Sequence, residues 1–173
     1  MANLNCKCNY RLNNSTAPDL VTWRVYSENE WQDIVKRGII HYDTLPDFTI
    51  DVWRCPKCER FYVFEGTKVF KYYVLHNIDE IAEGSRKSFT EDYMCKCGSS
   101  FNHQTLNNVR WRVYSDPEWW DIFTNDVIIF NPADIKPPNI DVWSCSKCER
   151  VYVFKENKLI KYYASHDIKE LQN

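Results

Sequence analysis

The sequence predicts an α+β protein built twice: two tandem copies of a small antiparallel β-sheet with one short helix and a four-cysteine knuckle. Three observations predict it. IDVWRCPKCERFYVFEGTKVFKYYV from Ile50 aligns without a gap to IDVWSCSKCERVYVFKENKLIKYYA from Ile140, with 16 of 25 positions identical. Upstream, WRVYSENEWQDI at Trp23 matches WRVYSDPEWWDI at Trp111, and CKC at Cys6 matches CKC at Cys95. The three offsets, 88, 89 and 90, are collinear, so the unit is the whole copy. The polar stretch EGSRKSFTED, residues 83–92, lacks an apolar period. It sets the boundary near residue 86 and the two modules at 1–85 and 86–173.

Within a copy, TWRVY and RWRVY are short β-rich runs. Ser27 with Glu30, and Ser115 with Glu118, then give the capping-box spacing, in which each side chain satisfies a free N–H of a helix's first turn. Pro117 falls in that turn, where its missing N–H costs least. Trp31, Ile34 and Val35 define the buried face of the first helix, and Trp119, Ile122 and Phe123 that of the second. After a Pro-bearing connection come IDVW, the cysteine knuckle and two Tyr/Val/Phe-rich runs separated by EGT or KEN, which read as a β-hairpin. Asp51 and Asp141 precede Val-Trp and are expected to anchor a turn through their own backbone.

All eight cysteines fall in close pairs: Cys6/Cys8, Cys55/Cys58, Cys95/Cys97 and Cys145/Cys148. Each copy therefore carries CxC and, further on, CxxC. Four thiolates suit a tetrahedral ion, and a CxxC turn presents two sulfurs to one metal. The expected ligand sets are Cys6, Cys8, Cys55, Cys58 and Cys95, Cys97, Cys145, Cys148, with two structural Zn²⁺ per chain. Iron stays open, because four cysteines also hold a single iron. A redox CxxC would open a helix beside a βαβ unit, whereas here it leads into a hairpin. Four cysteines close the shell, while a catalytic zinc keeps a position open, so each copy is expected to fold on its own metal.

VWRCPKCERFYVF and VWSCSKCERVYVF, with the upstream CKC, resemble zinc-ribbon and rubredoxin-like modules, and the whole pattern resembles small uncharacterised bacterial zinc-ribbon proteins. The resemblance covers both copies but rests on the knuckle and hairpin alone. It implies a ribbon with one metal on four cysteines and, were iron bound, an electron carrier. Two departures weigh against electron transfer: the first knuckle is CxC, and Glu59 or Glu149 stands where rubredoxins often place glycine.

The remaining groups narrow the function classes. MANLNCKCNY has no apolar signal region and no run approaches the ~18 residues of a membrane span, which implies a cytoplasmic protein with reduced thiols. The formal charge is −2, and two Zn²⁺ on eight thiolates would take it to −6, the wrong sign for a general nucleic-acid binder. Lys57, Arg60 and their copies Lys147, Arg150 read as counter-charges to an anionic metal site; Lys68, Lys71, Lys158 and Lys161 read as a solvated strand face. His76 and His166 recur and are expected to be exposed or capping, while His41 and His103 have no counterpart. No nucleophile or acid–base constellation stands out. The expectation is a non-enzymatic, zinc-stabilised protein-binding module with a protein partner, such as an adaptor or an immunity-type inhibitor of a toxin. The alternatives are a nucleic-acid-binding ribbon and a rubredoxin-like electron carrier. Aromatics reach 16%, more than two small cores absorb, and Trp and Tyr carry interface hot spots. Trp120, which replaces Gln32 of the first copy, is the residue singled out for the interface.

Overall fold

In the computed structural model, which describes residues 3–46, 50–81, 93–101, 110–123 and 129–166, both copies run the same course. Copy one forms the ribbon β1 (Asn3–Asn5) and β2 (Arg11–Asn13), then β3 (Thr22–Ser27), α1 (Glu28–Val35) and β4 (Ile40–His41). It ends with β5 (Ile50–Arg54), β6 (Phe61–Glu65) and β7 (Lys68–His76). Copy two forms the ribbon β8 (Tyr93–Met94) and β9 (Ser100–Phe101), then β10 (Arg110–Ser115), α2 (Asp116–Phe123) and β11 (Ile129–Phe130). Its last strands are β12 (Asp141–Ser144), β13 (Val151–Lys155) and β14 (Lys158–His166). The position assigned to the copy boundary, and His103, lie outside the described residues.

The expectation of two small separate sheets, each with its helix, is overturned. The long strands of both copies close one antiparallel barrel in the order β10-β12-β13-β14-β7-β6-β5-β3, so the described residues are mostly β, with two eight-residue α-helices among them. The reason lies in the strand faces. Val25, Val52, Val63 and their copies Val113, Val142, Val153 gather in one buried cluster inside the barrel. The residues between them, Tyr26, Trp53, Tyr62 and their copies, are buried on the outer face in other clusters. Strands apolar on both faces cannot lie as a sheet with one wet side. Each four-strand meander also has two raw edges, β3 and β7 in copy one, and pairing them with β10 and β14 removes every edge.

Both seams pair a strand with its own copy. Val25 faces Val113 across β3–β10, and Val74 faces Ala164 across β7–β14. These partners are equivalent positions, so a local twofold passes through both seams, reverses the strands and exchanges the two barrel ends. The contact is isologous, as in a symmetric dimer. Reciprocal ion pairs follow. Arg24 reaches Asp116 at 2.5 Å, and Arg112 reaches Glu28 at 3.3 Å. Both carboxylates open a helix, where the helix dipole favours negative charge.

Both helices lie over the first seam. Ser27 accepts from the Glu30 amide at 3.2 Å while the Glu30 carboxylate accepts from the Ser27 amide at 2.7 Å, completing the capping box, a device worth about 1 kcal/mol. Ser115 and Glu118 make the same exchange. Trp31, Ile34 and Trp119 are buried, and Trp119 sits 5.9 Å from Tyr26 of the other copy. The hairpin turns are two residues long, Gly66–Thr67 and Glu156–Asn157, shorter than the three expected. Asp51 and Asp141 lie in strands rather than turns, and the Asp141 carboxylate accepts from Arg110.

Candidate metal centres

Each cluster is assembled from two turns. In copy one the chain leaves β1, and the Cys6 amide donates to the Tyr10 carbonyl (2.9 Å) while the Asn9 amide returns to Cys6 (2.8 Å). Asn9 takes the left-handed φ of 64° that this turn demands, and Gly98 does so in copy two. The second turn joins β5 to β6. Cys55 donates to the Arg60 carbonyl and the Glu59 amide to the Cys55 carbonyl, both at 2.8 Å. Glu59 and Glu149 hold φ of 61° and 58°. That is the glycine position of a knuckle, so a side chain there costs on the order of 1–2 kcal/mol. Each carboxylate is held by the other copy: Glu59 pairs with Lys161, and Glu149 with Lys71 at 2.7 Å. Lys71 and Lys161 are therefore cross-copy ion-pair partners and not a solvated face.

The turns bring together every cysteine expected from the spacing, and each cluster draws its four from one copy: Cys6, Cys8, Cys55, Cys58 and Cys95, Cys97, Cys145, Cys148. The four sulfurs lie within 4.8 Å of one another. Sγ–Sγ separations are 3.4 Å for Cys6–Cys58 and Cys6–Cys8 and 3.6 Å for Cys8–Cys55, and copy two repeats them. A disulfide needs about 2.05 Å. A tetrahedron with metal–sulfur bonds of about 2.3 Å has edges near 3.8 Å. The spacing is that of ligands around a common centre, and all eight cysteines are free.

Hydrogen-bond donors surround the sulfurs. The Tyr62 hydroxyl donates to Cys6 Sγ at 3.1 Å, and Tyr152 stands 3.1 Å from Cys95 Sγ. The backbone amides of Lys7 and Lys96 donate to the two phenol oxygens. Arg60 donates to Cys58 Sγ at 3.3 Å, and the bond from Arg150 to Cys148 holds its guanidinium above the ordinary range. Sequence reading found the arginines but missed the tyrosines. Their signal was present, a Tyr four residues after the second CxxC cysteine in both copies. His76 and His166 are neither exposed nor capping. They end β7 and β14, lie 6.3 Å apart and stack on Tyr162 and Tyr72, each at 5.4 Å.

The thiols of one cluster differ in acidity. Burial pushes Cys55 and Cys95 up to about 12. The Ser99 hydroxyl leads in bringing Cys97 down to about 6, and in Cys8 the Tyr10 amide and neighbouring thiols outweigh burial and bring it to about 7. Metal binds thiolate, so a thiol still protonated at the working pH must release its proton on binding. Affinity must therefore fall as pH falls, by roughly tenfold per pH unit for each proton released. Co²⁺ binding followed by thiolate-to-metal absorption from pH 8 to pH 5 is expected to show a slope of at least one proton per site. A flat profile would contradict thiolate ligation.

A family model described as a domain of unknown function (DUF8617) matches the chain twice, over residues 2–79 and 91–169. The chain belongs to this family. Each DUF8617 copy contains one complete cysteine cluster and contributes four strands to the barrel. The hairpin that prompted the ribbon comparison supplies, in each DUF8617 copy of this chain, two of the eight barrel strands and is not a free ribbon. No curated protein matches the chain, and no solved structure does.

Proposed function

We propose that the protein is a non-enzymatic binding module in which each four-cysteine cluster holds one structural zinc ion. The observation that carries this reading is the closed shell: four sulfurs converge on each centre and are backed by a tyrosine and an arginine, leaving no position for water or substrate. The ions clamp the ribbons β1–β2 and β8–β9 onto the outer wall of the barrel, as in a zinc ribbon. Such a site is maintained where thiols stay reduced, as in the cytosol; no helix among the described residues is long and apolar enough to cross a membrane. Elemental analysis is expected to give two zinc ions per chain. A red protein with iron–thiolate absorption would overturn the zinc assignment and favour an electron carrier.

A specific observation also favours a protein partner. Trp120 is 42% exposed on α2, one residue from the buried Trp119. It stands outside the cluster of buried residues that packs α2 against the other copy. A large ring left in solvent on a rigid helix suits an interface hot spot, and truncating one costs about 2 kcal/mol or more. A pull-down from the source cell with wild type and Trp120→Ala is expected to recover a protein with the first and lose it with the second. Equal recovery, with zinc content unchanged, would remove Trp120 from the interface.

A further inference from the structure

We propose that the barrel lumen is a binding site for a small apolar molecule carrying one carboxylate, entering at the end where Lys71 and Glu149 stand. The proposal deepens the binding-module reading and rests on the metal centres being clamps on the barrel wall. The lumen is hollow for a reason legible in its residues. In an eight-stranded barrel side chains can just fill the interior. Here the middle layer is Val25, Val52, Val63 and their copies, six short side chains facing one another. They leave a cavity of about 340 Å³. That is room for about eleven waters and lies within the range of small-molecule pockets, roughly 300–1,000 Å³. Trp23, Trp111, Phe61 and Tyr73 add aromatic walls.

The two ends are equivalent by the local twofold but carry different residues. At one end Arg54 stacks over Trp23 at 5.3 Å and pairs with Glu59 at 3.2 Å. Phe61 packs between Trp23 (5.4 Å) and Tyr163 (4.9 Å), and Tyr163 is buried. That end is plugged. At the other, Ser144 stands in place of Arg54 and Val151 in place of Phe61, and the cavity reaches Ser144, Ser146, Lys71 and Glu149.

Charge at the open end selects the ligand's head. At the plugged end two cations, Arg54 and Lys161, hold Glu59, whose side chain is 28% exposed. At the open end Lys71 is the cation held by Glu149, whose side chain is 54% exposed. Glu149 is the exposed member of the pair, while the Lys71 side chain is 21% exposed, so the carboxylate can turn into water and leave Lys71 at the rim. A carboxylate on the ligand then takes its place on Lys71, with the Ser144 hydroxyl at the same rim. The apolar body enters the valine layer.

The test titrates the metal-loaded full chain with decanoate and with decanol, by calorimetry and by the fluorescence of the lumen tryptophans. One decanoate is expected to bind per chain. Ser144→Arg with Val151→Phe, which installs at the open end the residues of the plugged one, is expected to weaken it at least ~10-fold. The double variant should keep its circular dichroism and zinc content, because the same residues are already accommodated in copy one. Lys71→Met is expected to weaken decanoate by ~10-fold, the loss of a charge-assisted bond, and to leave decanol within about twofold. No saturable binding by wild type, or undiminished binding by the double variant, would overturn the lumen site. Decanol binding as tightly as decanoate, with Lys71→Met silent, would overturn the carboxylate head. Metal analysis of the same samples reports separately on the clamp reading: missing zinc with decanoate still bound would sink the clamp and leave the lumen standing.

Discussion

Cys58→Ser is expected to unfold both copies together. The substitution removes one ligand from the first cluster, and metal-binding free energy in such sites is folding free energy, about 10–16 kcal/mol in zinc-finger peptides. Even a third of that would lower the melting temperature by about 10–20 °C in a chain of this size. Independent modules would confine the damage to residues 1–85. The barrel changes that expectation, because β3 and β7 are the pairing partners of β10 and β14. Hydrogen exchange read by mass spectrometry should show β12, β13 and β14 losing protection along with β5, β6 and β7. Cys148→Ser should give the mirror result. Protection lost in one copy alone would restore the picture of two autonomous modules.

Asp116→Ala is the second large effect. Asp116 is 2% exposed, and its carboxylate accepts from Arg24 Nε and Nη2, at 3.0 and 2.5 Å, and from the Asp19 amide at 3.0 Å. Removing it leaves a half-buried guanidinium and a backbone N–H without their partner, which costs about 3–5 kcal/mol. The symmetry-related Glu28→Ala is expected to cost less, because Arg112 meets Glu28 only at 3.3–3.4 Å. Chemical denaturation of the zinc-loaded proteins would rank the two. Equal losses would mean that the reciprocal pairs contribute alike despite their geometry.

Local features were legible in the sequence. The repeat, the capping boxes and the grouping of cysteines depend on residues close together or on direct comparison of the copies. The closed barrel depends on β3 meeting β10 and β7 meeting β14, about 90 residues apart, and no local pattern encodes that pairing. A trace of it was present. Tyr62-Val63-Phe64 and Tyr152-Val153-Phe154 are apolar at every position, the mark of a strand covered on both faces, where a one-sided sheet would alternate with polar residues. Lys71 and Lys161 were misplaced for the same reason: their carboxylate partners belong to the other copy. Tyr62 and Tyr152 were legible as recurring residues, yet only the fold brings their hydroxyls to the sulfur.

The unequal barrel ends have a consequence for why both copies occupy one chain. A homodimer of a single copy could build the same wall, but its two openings would be identical by symmetry. Any substitution that opened one would open the other, and the result would be a pipe. Covalent fusion lifts that constraint, because Arg54 and Phe61 can be kept at one position while Ser144 and Val151 take the other. The result is a cup, with a floor and a single rim, in which a guest is held in one orientation.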